Sequence, residues 1–261
     1  CFMFFLVKMI LKLIVMKKIF LSLLTFMSIL FLPAFGQSNY VTFQTGYHFG
    51  LPTGNVTSAN IPFSGYKVDA NGSKESLSGT LGGGVPLQLA YGRMFNEHVG
   101  VEFGVNYLLG STELIGEHAL IQAKAEAYTR QLRLVPQIVL KSNGVYVKAG
   151  LFIPLTGATT LNVEYLETDV TSPFAGQKYE IESEVKGHPT VGFTGTVGYE
   201  YGLNEKISLF GEAQFISLSI KSNSSEYTSF VIGGVDYTNN LDALGLSKEI
   251  TYEDELSLTE Q

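Results

Sequence analysis

The chain has 261 residues, a length that suits one all-β domain or two small domains. Its 17 basic residues are outnumbered by 24 acidic ones, and four of the lysines lie in the first 36 residues. The remainder is therefore strongly acidic, which argues against nucleic acid as a partner. The only cysteine is Cys1, so the rest of the chain offers no disulfide, no zinc–thiolate site and no cysteine nucleophile.

The N-terminal region has the pattern of an export signal. Two lysines precede an apolar run over residues 19–32, and small residues occupy the −3 and −1 positions of a cut before Gln37. The run is short for a membrane-spanning helix, which is the alternative. We predict a cleaved signal peptide over 16–36, and we interpret residues 1–15 as an upstream extension that is not native to the protein.

The rest of the chain alternates large apolar residues with small or polar ones in seven segments. Each segment is near the length that a tilted strand needs to cross a membrane, about 9–11 residues. No helical period of comparable strength occurs after the signal. In chain order, the predicted strands are 40–49, 85–95, 99–109, 128–140, 145–155, 191–202 and 206–219.

The connections between these strands alternate in length. Three are tight turns, at 96–98, 141–144 and 203–206, and the second contains the hairpin signal Asn143-Gly144. Long polar segments lie between them, at about 50–84, 110–127, 156–189 and 220–261. Short turns on one rim and long loops on the other are typical of outer-membrane barrels. We therefore predict a single β-barrel domain over 37–261.

The composition of the two strand faces distinguishes a membrane barrel from a soluble protein. One face carries residues such as Val191, Phe193 and Val197, and the opposite face is rich in Gly, Gln and Thr with a few charges. A soluble sandwich or a lipocalin-like carrier would turn the apolar face inward, whereas a membrane barrel turns it outward. Glycine and glutamine suit a narrow lumen that side chains fill, so we favour the membrane barrel and keep the lipocalin-like carrier as an alternative.

The signal peptide, the Gly- and Tyr-rich alternating strands, the tight turns and the long loops carry a family resemblance. Over about 40–220 the chain resembles the small eight-stranded outer-membrane barrels, the OmpA- and OmpX-like proteins, described as an outer membrane protein β-barrel domain. The resemblance implies an antiparallel up-and-down transmembrane barrel in the bacterial outer membrane. It also implies contact with outer-membrane lipid and lipopolysaccharide, and insertion by the barrel assembly machinery.

The resemblance further implies an even number of strands, whereas the pattern yields seven. We expect eight strands, with the last one missing because the sequence stops within the fourth outer loop. The alternative uses residues 227–237 as the closing strand, although three consecutive apolar residues interrupt its alternation.

Five charged residues fall on the predicted lumen face: Glu102, Arg133, Lys148, Glu200 and Glu212. Buried charges require partners, so we predict one network that fills the lumen. A structural plug is the favoured interpretation, and a gate or a narrow ion path is the alternative.

Aromatic residues near strand ends are candidates for the girdles at the membrane interfaces. These interfacial aromatics are Tyr40, Tyr47, Tyr91, Tyr107, Tyr199 and Tyr201.

Catalytic and metal-binding patterns are weak. The four histidines have no metal-ligand spacing, and His48 with loop serines only loosely resembles the site of lipid-modifying barrel enzymes. We expect no enzyme activity, no metal and no cofactor. The sequence favours a structural or surface-interaction role through the long acidic loops, with a small channel for ions or small hydrophobic molecules as the alternative.

Overall fold

The computed structural model describes residues 38–51, 61 and 63–252. The predicted upstream extension (1–15) and signal peptide (16–36) lie outside these ranges. Within them, no helix is long and apolar enough to cross a membrane. One 14-stranded sheet contains the strands, which agrees with the predicted all-β class.

The strands, in chain order, are β1 (Ser38–Thr45), β2 (Tyr66–Val68), β3 (Lys74–Ser76), β4 (Gly84–Met94), β5 (Val99–Gly110), β6 (Glu113–His118), β7 (Ala123–Ser142), β8 (Val145–Leu166), β9 (Lys178–Gly187), β10 (Gly192–Gly202), β11 (Ser208–Ser217), β12 (Ser222–Ile232), β13 (Val235–Asp236) and β14 (Glu249–Thr251). Short 3₁₀ turns cover Ala119–Ile121 and Leu241–Leu244.

Seven of the strands form a curled antiparallel wall. Neighbours pair in the order β1-β4-β5-β7-β8-β10-β11, so each wall strand lies beside the wall strand that follows it in the chain. Each of these strands overlaps one of the seven predicted segments, although β1 ends at Thr45 rather than at residue 49, and the up-and-down barrel fold is confirmed. The total strand number differs from the expected eight because the long connections also contain strands.

Asparagine sets the geometry of the three tight turns. The Asn96 side chain accepts hydrogen bonds from the backbone N–H groups of His98 and Val99, each at 2.8 Å. Asn204 accepts from the N–H groups two and three residues on in the same way. In the turn at 141–144, Asn143 and Gly144 adopt positive φ values of 51° and 84°, as a two-residue hairpin of type I′ requires.

The wall is apolar outside and mainly polar inside. Phe43 and Phe193 are each 67% exposed on the outer surface, whereas Gln88 and Asn106 are buried in the interior at 2% and 1%. In water such an arrangement would leave a broad apolar surface unburied. The arrangement suits a wall surrounded by lipid. It does not fit the lipocalin-like alternative, in which apolar residues such as Phe43 and Phe193 would point inward.

The long connections form a second structural layer, which we call the outer extension. It consists of β2, β3, β6, β9 and β12–β14 on the loop-side ends of β7 and β8. β7 and β8 contain 20 and 22 residues, about twice the length that crosses a membrane. At about 3.4 Å per residue, the excess projects roughly 30 Å beyond the wall. The predicted loop segments therefore contain strands, and KYEIESEV lies within β9.

Two apolar clusters stabilise the outer extension. The first contains Ile115, Ala125, Leu161 and other buried residues from β6, β7 and β8. The second is aromatic and includes Tyr179 and Phe230. The two apolar clusters thus lie in the outer extension, while the interior of the wall is mainly polar, with a few buried apolar residues such as Phe152 and Val135.

A β-bulge in β8 marks the boundary between the wall and the outer extension. Leu132 lies opposite Thr156, but Arg133 lies opposite Pro154, so β8 has one extra residue here. Gly157 next to the bulge has φ +148°, and a Cβ atom there would overlap the backbone carbonyl of Arg130. The bulge bends β8, and β8 then pairs with β10 below it and with β9 above it.

The alternative closing strand at 227–237 is wrong. β12 covers most of this segment and pairs with β9 in the outer extension rather than with a wall strand. Its consecutive apolar residues are explained by this position, because Phe230 and Ile232 are buried in the second apolar cluster. Within the described residues, β1 and β11 form the two edges of the wall without pairing to each other.

Candidate functional site in the barrel interior

Two tyrosines enter the interior because glycines on the neighbouring strands leave room for them. Tyr40 on β1 lies opposite Gly92 on β4, and Tyr146 on β8 lies opposite Gly198 on β10. A Cβ atom at either glycine would overlap the tyrosine ring. The small residues of the inner face therefore provide the space that the rings fill.

These tyrosines belong to an interior cluster of charged and polar side chains: Tyr40, Gln44, Glu102, Tyr146, Lys148 and Glu212. The Lys148 ammonium lies 2.9 Å from Glu102 Oε1 and 3.4 Å from Glu212 Oε2. The side chains of all three charged residues are at most 7% exposed. One lysine thus bridges two buried carboxylates across the barrel.

The remaining oxygens of both carboxylates also accept hydrogen bonds. Tyr40 donates to Glu102 Oε2 at 3.1 Å, and Tyr146 donates to Glu212 Oε2 at 2.8 Å. The Gln44 amide donates to Glu212 Oε1. Each carboxylate oxygen therefore has a donor, the condition under which burying such charges is tolerable.

A chain of amides extends the interior cluster around the wall. Asn106 donates to Gln88 at 3.2 Å, Gln88 donates to Gln44 at 3.4 Å, and Gln44 donates to Glu212. These residues lie on β5, β4, β1 and β11. The last step connects the two edge strands of the wall through side chains.

The predicted five-charge network is smaller than expected. The structure brings Glu102, Lys148 and Glu212 together, but Glu200 pairs with Lys141 at 2.8 Å near the turn rim, where both side chains are about one-third exposed. Arg133 forms no ion pair within the described residues. Its Nε donates to Gln131 at 2.6 Å, and its guanidinium lies 4.9 Å from the centre of the Phe152 ring. Strand alternation predicts which side chains face inward, but not the depth at which they meet.

The placement of one predicted interfacial aromatic is also corrected. Tyr40 points into the interior cluster, because its neighbours Val41 and Phe43 occupy the outer face. Tyr47, Tyr107, Tyr199 and Tyr201 are exposed on the outer surface, and Tyr91 is partly buried. Tyr91, Tyr199 and Tyr201 lie toward the tight-turn rim, and Tyr47 and Tyr107 toward the loop rim.

Sequence reasoning missed Tyr40, Gln44 and Lys141 as partners of the interior charges. Tyr40 and Gln44 occupy the alternate positions of β1 whose side chains face the interior, and Tyr40 also has a glycine opposite it on the neighbouring strand β4. A tyrosine facing a glycine across a strand pair is the signal that could have identified it. Lys141 lies at the end of β7, where the predicted turn began.

Two of the four histidines hydrogen-bond an amide side chain or a backbone carbonyl. His48 hydrogen-bonds Gln214, and His98 Nδ1 lies 3.1 Å from the backbone carbonyl of Lys141. Within the described ranges, no group of three or more His, Cys, Asp and Glu residues is arranged to hold a metal ion.

The comparisons with known proteins agree with this geometry. The family model described as "Outer membrane protein beta-barrel domain" matches residues 23–238, well over half of the chain. Neither a curated protein nor a solved structure matches the chain significantly. The inside-out wall and the family match lead to one conclusion: the chain belongs to the outer membrane protein β-barrel domain family.

Proposed function

We propose that this outer-membrane β-barrel protein has a plugged lumen and serves, without enzyme activity, to hold its outer extension at the cell surface. The observation that carries the proposal is the interior cluster. Lys148 bridges Glu102 and Glu212 across the barrel, and two tyrosine rings fill the space beside them. A lumen closed by hydrogen-bonded side chains supports a structural role rather than a pore.

The outer extension supports a surface-interaction role. Its β-strands have their own apolar clusters, so it presents a shaped surface rather than a mobile loop. The surface is acidic, and Lys178 bridges Glu164 and Glu180 at 2.8 and 2.9 Å. These pairs are exposed and contribute little stability, which is consistent with a surface selected for contact. We expect outer-membrane lipid and lipopolysaccharide to surround the wall below it.

Conductance in planar bilayers tests the plug. We expect the wild-type protein to give no steady conductance. A steady current that changes in Arg133→Ala or Glu212→Ala, but not in the exposed turn variant Glu205→Ala, would overturn the plug and establish the channel alternative.

The channel alternative has one supporting observation. Several buried interior atoms have no hydrogen-bond partner within the described residues, namely Asn106 Oδ1, Gln137 Nε2, Thr194 Oγ1 and Thr196 Oγ1. Such atoms could be hydrated in a polar path. The charges that would control this path are Arg133 and those of the interior cluster.

Cysteine labelling in intact cells tests the surface position. Val170 is 89% exposed at the end of the outer extension, and Glu205 is exposed in a tight turn on the opposite rim. A membrane-impermeant maleimide should label Val170→Cys in intact cells and Glu205→Cys only after lysis. The reverse pattern would place the outer extension in the periplasm and contradict the proposal.

A further inference from the structure

The loop-side half of the barrel contains a large cavity that is partly open to solvent. Its volume is about 1520 Å³, larger than that of a typical small-molecule site. Gln44 and Glu212 of the interior cluster lie among its lining residues, and so do Ile115, Ala127 and Leu161 of the first apolar cluster. The cavity therefore extends from a polar end in the wall to an apolar end in the outer extension.

Arg133 lines this cavity and is 4% exposed. A guanidinium has five N–H donors, and the hydrogen bond described for Arg133 uses only Nε. No carboxylate within the described residues pairs with it, and Glu102 and Glu212 of the interior cluster already share Lys148. Burying a cation without a counter-charge is costly.

The neighbours of Arg133 hold it in position for an incoming anion. Gln131 accepts from Nε, and the Phe152 ring packs under the guanidinium, which orients the terminal nitrogens. Arginine binds carboxylates through two parallel hydrogen bonds from such a fixed plane. The cavity lining also includes apolar side chains such as Val185, which can contact a hydrocarbon body.

We propose that this cavity binds an organic anion with an apolar body, an aliphatic carboxylate, with its charged end at Arg133 and its chain along the first apolar cluster. This inference goes beyond the proposed function, since a plugged barrel can bind such a ligand from the loop side without conducting ions. The conductance test of the plug and the binding test of the cavity can therefore give independent results.

Binding of octanoate by the protein in lipid nanodiscs tests the proposal, with isothermal titration calorimetry as the readout and empty nanodiscs subtracted. We expect saturable binding of octanoate and much weaker binding of octanol, which has the same chain without the charge. Arg133→Gln should weaken octanoate binding at least about tenfold, equivalent to 1.4 kcal/mol. The matched control is Arg130→Gln, because Arg130 is exposed on the same strand outside the cavity lining.

Three results would overturn the proposal: no saturable octanoate binding, equal binding of octanol, or unchanged binding in Arg133→Gln. If that variant does not fold, the wild-type protein decides the question through chemical modification by phenylglyoxal. Octanoate should protect Arg133 from modification while leaving Arg130 reactive, as measured by peptide mass spectrometry. Equal modification of Arg133 with and without octanoate would refute the assignment.

Discussion

Replacing Lys148 with methionine removes the cation from the interior cluster while keeping an unbranched side chain of similar length. Glu102 and Glu212 then remain buried without an opposite charge. With an effective dielectric constant of about 20, the 2.9 and 3.4 Å separations correspond to gross attractions of about 6 and about 5 kcal/mol. Desolvation offsets much of this, and breaking a buried pair typically costs about 3–5 kcal/mol. We expect Lys148→Met to lower the free energy of unfolding by about 3–5 kcal/mol.

Lys141→Met is the matched control, because Lys141 pairs with Glu200 at a similar distance but both side chains are about one-third exposed. Exposed pairs contribute about 0.2–1 kcal/mol, so the control should change stability little. Urea-induced unfolding of the protein in lipid vesicles, followed by circular dichroism, measures both variants.

A third variant separates charge from packing. Combining Lys148→Met with Glu102→Gln and Glu212→Gln removes every charge of the interior cluster, and most of the lost stability should return because no uncompensated charge remains. The reasoning from buried charge would be refuted if the free energy of unfolding of Lys148→Met lay within about 1 kcal/mol of the wild-type value, which is the contribution of one exposed ion pair. It would also be refuted if Lys148→Met lost no more stability than Lys141→Met.

Three further predictions concern packing and ionisation. Gly198→Ala should destabilise the barrel by about 1–3 kcal/mol in the same urea assay, because the added methyl group overlaps the ring of the tyrosine beside it. Phe230→Ala should cost about 3–5 kcal/mol within the outer extension, where Phe230 is 4% exposed, and should reduce hydrogen-exchange protection there. The pKa of Asp236 lies below its ordinary 3.8 because Thr238 donates to it through its hydroxyl and its backbone N–H, and Thr238→Val should raise that pKa in an NMR titration.

Each of these predictions has a distinguishing result. Gly211→Ala should have little effect, since open space surrounds that position, and equal losses at Gly198 and Gly211 would contradict the packing argument. If Phe230→Ala reduced hydrogen-exchange protection in the wall strands as well as in the outer extension, the two parts would not have separate cores. For Asp236, the lowered pKa means that its hydrogen bonds stabilise the folded state above pH 3.8 and that this contribution is lost as the pH falls through the folded-state pKa. An unchanged pKa in Thr238→Val would show that the hydroxyl is not the cause.

The sequence by itself determined the wall of the barrel. Alternation is a local property, so Phe43 and Phe193 could be assigned to the outer face and Gln88 and Lys148 to the inner face without knowledge of their neighbours. The tight turns were equally readable, because Asn-Gly and the asparagine caps act over two or three residues. The family resemblance followed from these local patterns.

Only the tertiary structure decided which inner residues meet and how the long connections fold. Lys148 is 46 residues from Glu102 and 64 from Glu212 in the chain, so their contact depends on strand register and on the curvature of the whole wall. Residues 222–232 have an apolar pattern that fits a closing strand poorly, and pairing with β9 explains it. The inward direction of Tyr40 follows from alternation along β1, but the space beside Gly92 that its ring fills exists only once β1 and β4 lie side by side. Periodicity specifies the direction in which a side chain points, whereas its partners are set by contacts between distant segments.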